Sequence, residues 1–177
     1  MSSLVAFMSP RRRRVSYLAL FVAFVFVACD PGEPDAGVGV GVGSGGGIVA
    51  YVAICPREAI RRIELLTTED GVVGNSDDST LWAIEADEEL VDAMFHVRTI
   101  DIGTTPLGFT EVESLQGELD NDAAMTLSVV STRSEQLETF RPSGLVTNSI
   151  RAEETLKSES EFTADARKEC GRREQGQ

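Results

Sequence analysis

The chain contains one histidine, His96, so no multi-histidine zinc site can be built within it. Its carboxylates fall into groups that could do chemistry. Asp70, Asn75, Asp77 and Asp78 share one segment, and Asp120, Asn121 and Asp122 share another. Oxygen-rich loops hold Ca²⁺, but neither group has the alternating aspartates, glycine and later glutamate of a calcium loop. Aspartate and asparagine also make turns, and that is the expected role here. Glu85, Asp87, Glu88 and Glu89 contain enough carboxylates for an acid–base pair of the kind that cleaves glycosides, with nothing in the spacing to fix their separation. Trp82 could stack on a sugar, but it alternates with Ile84, which places it in a core. No Gly-x-Ser-x-Gly elbow and no glycine loop followed by Lys-Ser/Thr is present, so no catalytic site and no cofactor is expected. His96 reads as a surface residue on a strand.

Arg11–Arg14 are followed by fourteen uncharged, mostly apolar residues, Val15–Ala28, and then by Cys29-Asp30-Pro31-Gly32. As a helix the run spans about 21 Å, short of a hydrocarbon core of roughly 30 Å. Basic residues before a short apolar run mark a secretory signal, residues 1–28. Phe26-Val27-Ala28-Cys29 resembles the lipobox of bacterial lipoproteins, with phenylalanine where that family usually carries leucine. The resemblance implies cleavage before Cys29, acylation of its thiol and attachment to the membrane at the extracytoplasmic face. A conventional cleaved signal, giving a secreted protein, and an uncleaved anchor are the alternatives.

If Cys29 is acylated, Cys55 and Cys170 are left in a chain exported to an oxidising compartment. The even count predicts a disulfide between them, closing more than 100 residues and stabilising the fold by about 4–5 kcal/mol. It would be a staple with no redox role. The whole chain has a net charge of −13. Residues 1–28 hold four arginines and no acids, so the remainder carries 12 basic against 29 acidic side chains, a net charge of −17. Such a surface repels nucleic-acid phosphates and anionic lipid headgroups, and no nucleic-acid partner is expected.

The elements that would position these residues follow from periodicity. Residues 29–47 read as the attachment cysteine and a flexible tether, because glycine at every second position of Gly-Val-Gly-Val leaves little to pack. Strands are expected at Ile48–Ile54, within Glu58–Thr68, at Leu81–Ile84, Ala93–Ile102, Phe109–Leu115, Met125–Val129, Leu137–Phe140 and Leu145–Ile150. A short helix with Ser160 as its cap would end at Gly171 and carry Cys170. The resulting fold is mainly β, one antiparallel sandwich, immunoglobulin-like or similar, over residues 48–171, with 172–177 a disordered tail. Its globular part also resembles small acidic lipoproteins of GC-rich bacteria that carry a Pro-x-Gly-Phe turn and a late cysteine. Here these are Pro106-Leu107-Gly108-Phe109 and Cys170, and the resemblance implies no activity. The expected function is a lipid-anchored binding or accessory module of the cell envelope. A secreted carboxylate hydrolase and a passive structural lipoprotein are the alternatives.

Overall fold

The computed structural model describes residues 37–68, 79–88 and 94–175. β-Branched and aromatic residues recurring at every second position fold into two antiparallel sheets of five strands each. The first holds β1 (Val38–Val42), β2 (Ile48–Ile54), β5 (His96–Asp101), β9 (Ile150–Ala152) and β10 (Thr155–Lys157), in the order β10-β9-β1-β2-β5. The second holds β3 (Ile60–Thr67), β4 (Ser79–Ala86), β6 (Phe109–Glu113), β7 (Met125–Ser131) and β8 (Glu135–Phe140), in the order β6-β4-β3-β7-β8. The sheets enclose one core, with Val40, Val52 and Ile100 from the first facing Ile63, Leu65, Trp82, Ile84 and Leu127 from the second. The expected β-sandwich is the observed fold.

A third layer lies on the outer face of the first sheet. Helix α1 (Glu159–Gln175) buries Phe162 and Ala166 against Ala53, Ile150 and Ala152, with Tyr51, Phe95 and Val97 around them. Strand alternation therefore serves two cores at once. In β5, Ile100 enters the sandwich while Val97 packs on the helix side.

Four expectations need correction. Residues 38–42 are not tether; they form β1, paired along five residues with β2 and bridged on its other side by β9. Val38 and Val40 fill the main core. The glycine between them admits β9 and the helix layer: a Cβ at Gly39 would lie 2.5 Å from Ile150 Cγ2 and 3.2 Å from Phe162 Cε2. Glycine here marks close approach of another element. The helix begins two residues earlier than expected. Ser158 is the cap: its hydroxyl accepts from the Glu161 amide at 3.3 Å, and Glu161 Oε2 accepts from the Ser158 amide at 2.8 Å, a reciprocal capping box. The helix also runs through Gly171 to Gln175, so residues 172–175 are not a disordered tail. Arg172 and Arg173 pair back to Glu169 across that glycine, at 2.8 and 3.4 Å. Finally, the strand expected at Leu145–Ile150 starts only at Ile150; Pro142–Gly144 is a short 3-10 helix instead.

Candidate functional site

Cys55 follows β2 and Cys170 lies late in α1, and the two form a disulfide with Cα atoms 5.3 Å apart, as the cysteine count predicts. Cys29 lies outside the described residues. Asp70, Asn75, Asp77, Asp78 and Glu89 also lie outside them. Asp120 makes a turn, its Oδ1 accepting from the Asp122 amide at 2.9 Å. The Asn121 carbonyl accepts from the Ser143 amide, and the Asp122 carbonyl from Arg141. Glu85 pairs with Arg62 at 2.7 Å, Asp87 accepts from Thr110 at 2.5 Å, and Glu88 is exposed. The described carboxylates of this group thus have separate surroundings, and no facing pair forms among them. His96 is half-buried on β5, its Nδ1 3.3 Å from the Met94 carbonyl. Trp82 is fully buried in the sandwich, where no sugar can reach it. Among the described residues no group of three His, Cys, Asp or Glu side chains converges as metal ligands would.

Two polar assemblies emerge that the sequence did not announce. The first is built on β8, an edge strand whose alternation turns Gln136, Glu138 and Phe140 inward and leaves Leu137 half exposed. Glu138 is almost fully buried. Its Oε2 accepts from the Glu153 amide at 2.8 Å, and its Oε1 stands 3.5 Å from Arg151 Nε without a hydrogen bond. Glu153 and Glu154 form the two-residue turn between β9 and β10 with φ of 54° and 62°. Non-glycine residues take this conformation at a cost, though it suits the twist of a tight hairpin. Burial pushes the Glu138 carboxyl above the usual range, opposed by the amide hydrogen bonds and by Arg151. The adjoining groove is lined by Leu137, Glu138, Thr139, Glu153 and Glu154 and has a volume of about 370 Å³. The inner carboxylate oxygen is shielded and the outer one is held by backbone, so Glu138 acts as a latch on the hairpin.

The second assembly closes the end of the sandwich where β1 begins. Glu58, buried after the Cys55-Pro56-Arg57 turn, accepts from the Cys55 amide at 3.2 Å and from the Ser131 hydroxyl at 2.5 Å. Ser131 Oγ in turn accepts from the amides of Arg133 and Ser134. Arg173 Nη1 donates to Ser134 Oγ at 3.5 Å, and the disulfide ties Cys170 to Cys55. The Ala53 amide donates to the Gly37 carbonyl at 2.7 Å. The β2–β3 turn, the β7–β8 turn, the last turns of α1 and the start of β1 therefore meet at one place. Arg57 and Arg133 are exposed there, as is Arg172.

No family model, curated protein or solved structure matches this chain. Among the described residues no helix is long and apolar enough to cross a membrane.

Proposed function

We propose that the chain is a lipid-anchored, extracytoplasmic binding or accessory module of a bacterial cell envelope. The signal of residues 1–28 and the lipobox-like Phe26-Val27-Ala28-Cys29 motivate the anchor. The observation that carries the reading is the disulfide between Cys55 and Cys170, which accounts for every cysteine but the one at the lipobox. A staple of this kind suits an oxidising compartment, and the unmatched thiol stands where acylation would take it. Because β1 begins at Val38, only the short segment after Cys29 would serve as tether, which holds the domain close to the bilayer.

Labelled palmitate tests the anchor. It is expected to enter the wild-type chain and not Cys29→Ala, with the wild type in the membrane fraction and the variant outside it. Equal labelling of both overturns the reading. Cross-linking in intact cells tests the binding role; a partner lost on Cys29→Ala supports a module that works only at the membrane.

A further inference from the structure

Leu107 and Met94 are the most exposed large apolar side chains among the described residues, at 94% and 78%. A single exposed leucine is ordinary. This pair differs in how it is held and in where it stands. Leu107 is at the tip of the turn before β6, and the backbone around it is braced from three directions. The Phe109 amide donates to the Pro106 carbonyl at 3.2 Å, the Asp87 amide to the Gly108 carbonyl at 3.0 Å, and Arg98 Nη2 to the Leu107 carbonyl at 3.0 Å. The Arg98 guanidinium also lies over the Phe109 ring, 5.0 Å from its centre. Gly108 takes the left-handed φ of 85° that the turn requires. The leucine is thus presented on fixed backbone, so contact costs little ordering. Met94 precedes β5, its carbonyl 3.3 Å from His96 Nδ1. Strand register sets both residues at the end where the chain enters β1. Val38 pairs with Val52 and His96 with Ile54, so Met94 and Gly37 share one end of the first sheet. In the second sheet Phe109 pairs with Ala86, next to the start of β3, which the Cys55–Ala59 connection reaches from β2. At that end Asp87, Glu88, Glu135 and Glu169 stand against Arg57, Arg133, Arg172 and Arg173, so neither sign of charge dominates.

We propose that Leu107 and Met94 enter the interfacial layer of the bilayer that holds Cys29, and so fix which way the domain faces. The inference rests on the anchored reading. Chain length names the bilayer as the occupant: eight residue steps from Cys29 to Gly37 reach at most about 28 Å, and they arrive at this same end. The driving force is removal of apolar surface from water, which needs no anionic lipid. Two side chains are too few to hold a free protein on a membrane. The tether supplies a high local concentration, so a weak contact suffices to orient the domain. The opposite end, where Val42 pairs with Ile48, then faces away from the bilayer.

The test uses the mature chain of that reading, residues 29–177, with the Cys29 thiol joined to a maleimide phospholipid, so that it does not depend on acylation in the cell. Cys55 and Cys170 are held in the disulfide and do not react. The product is inserted into phosphatidylcholine nanodiscs containing a lipid with a nitroxide high on its acyl chain, and side-chain methyl signals are followed by NMR. The Met94 and Leu107 methyls are expected to broaden severalfold more than those of Val146, a half-exposed residue at the opposite end. In Leu107→Gln the Met94 methyl is expected to lose that excess, with the circular dichroism of the wild type kept. Equal broadening at Met94, Leu107 and Val146, none at any of them, or an excess at Met94 that survives Leu107→Gln overturns the proposal. A photoreactive side chain at position 107 that captures a protein and no lipid in intact cells overturns it as well. Absence of palmitate labelling in cells, by contrast, overturns only the anchored reading.

Discussion

Glu138 illustrates how a residue's role is set by what covers it. Its folded-state pKa is raised, chiefly by burial, so the folded chain holds the proton more tightly than the unfolded chain does. This contribution favours folding below the ordinary glutamate range and is lost as pH rises through the raised value. Glu138→Gln retains an oxygen for the Glu153 amide and removes the buried charge. Its stability relative to wild type is expected to improve as pH rises through and above the ordinary glutamate range, by denaturant titration at each pH. A constant difference across that range would show that the carboxylate does not titrate differently in the fold. Gly39 gives a second test. Alanine for glycine in an ordinary strand stabilises by about 0.5–1 kcal/mol. Here the new Cβ meets Ile150 and Phe162, and Gly39→Ala is expected to destabilise by about 1–3 kcal/mol. A neutral result would return residues 38–42 to the tether. Neither role could be read from local sequence. Leu137 and Phe140 fall on opposite faces, and Phe140 sets the phase of β8, so Gln136 and Glu138 go inward and Leu137 outward.

At the scale of elements, alternation made most strands legible. Met125, Leu127 and Val129 lie in the core as their spacing requires, and Ile63 and Leu65 share the core face of β3. β1 escaped because Gly39 answers to β9 and to a helix more than 100 residues later, and a period-two pattern of glycine and valine looks like linker until those elements are present. β10, three residues long with two of them exposed, carries almost no hydrophobic signal. The helix was legible as an element and misplaced at both ends. Two serines, Ser158 and Ser160, precede its apolar positions, and only the partner at Glu161 distinguishes the cap. Bonding to Ser158 lowers the Glu161 carboxyl below its usual range, so this contribution is present at neutral pH and lost as pH falls through that lowered value. Ser158→Ala is expected to cost about 1 kcal/mol, read as a lower denaturation midpoint with unchanged cooperativity. An unchanged midpoint would mean that the box forms without stabilising the helix.

For the whole molecule the disulfide is the strongest long-range constraint, joining residues 115 apart. Replacing Cys55 and Cys170 together by alanine is expected to lower stability by about 4–5 kcal/mol, seen as an earlier unfolding transition that reductant no longer moves. If reductant leaves the wild-type transition in place, the bridge is not a staple. Cysteine counting found this pair, because few ways of pairing exist once Cys29 is set apart. The placement of β1 has a mechanical meaning as well. The chain enters the first sheet between β9 and β2, not at an edge. A pull through Gly37 along the strand loads the ladder to β2 in shear, so its five pairs must yield together, where an edge strand would peel one pair at a time. The end of β2 beside Gly37 is welded to α1 by the disulfide, so the loaded end of the sheet is tied directly to the helix. A domain pulled through Gly37 therefore resists mechanical unfolding.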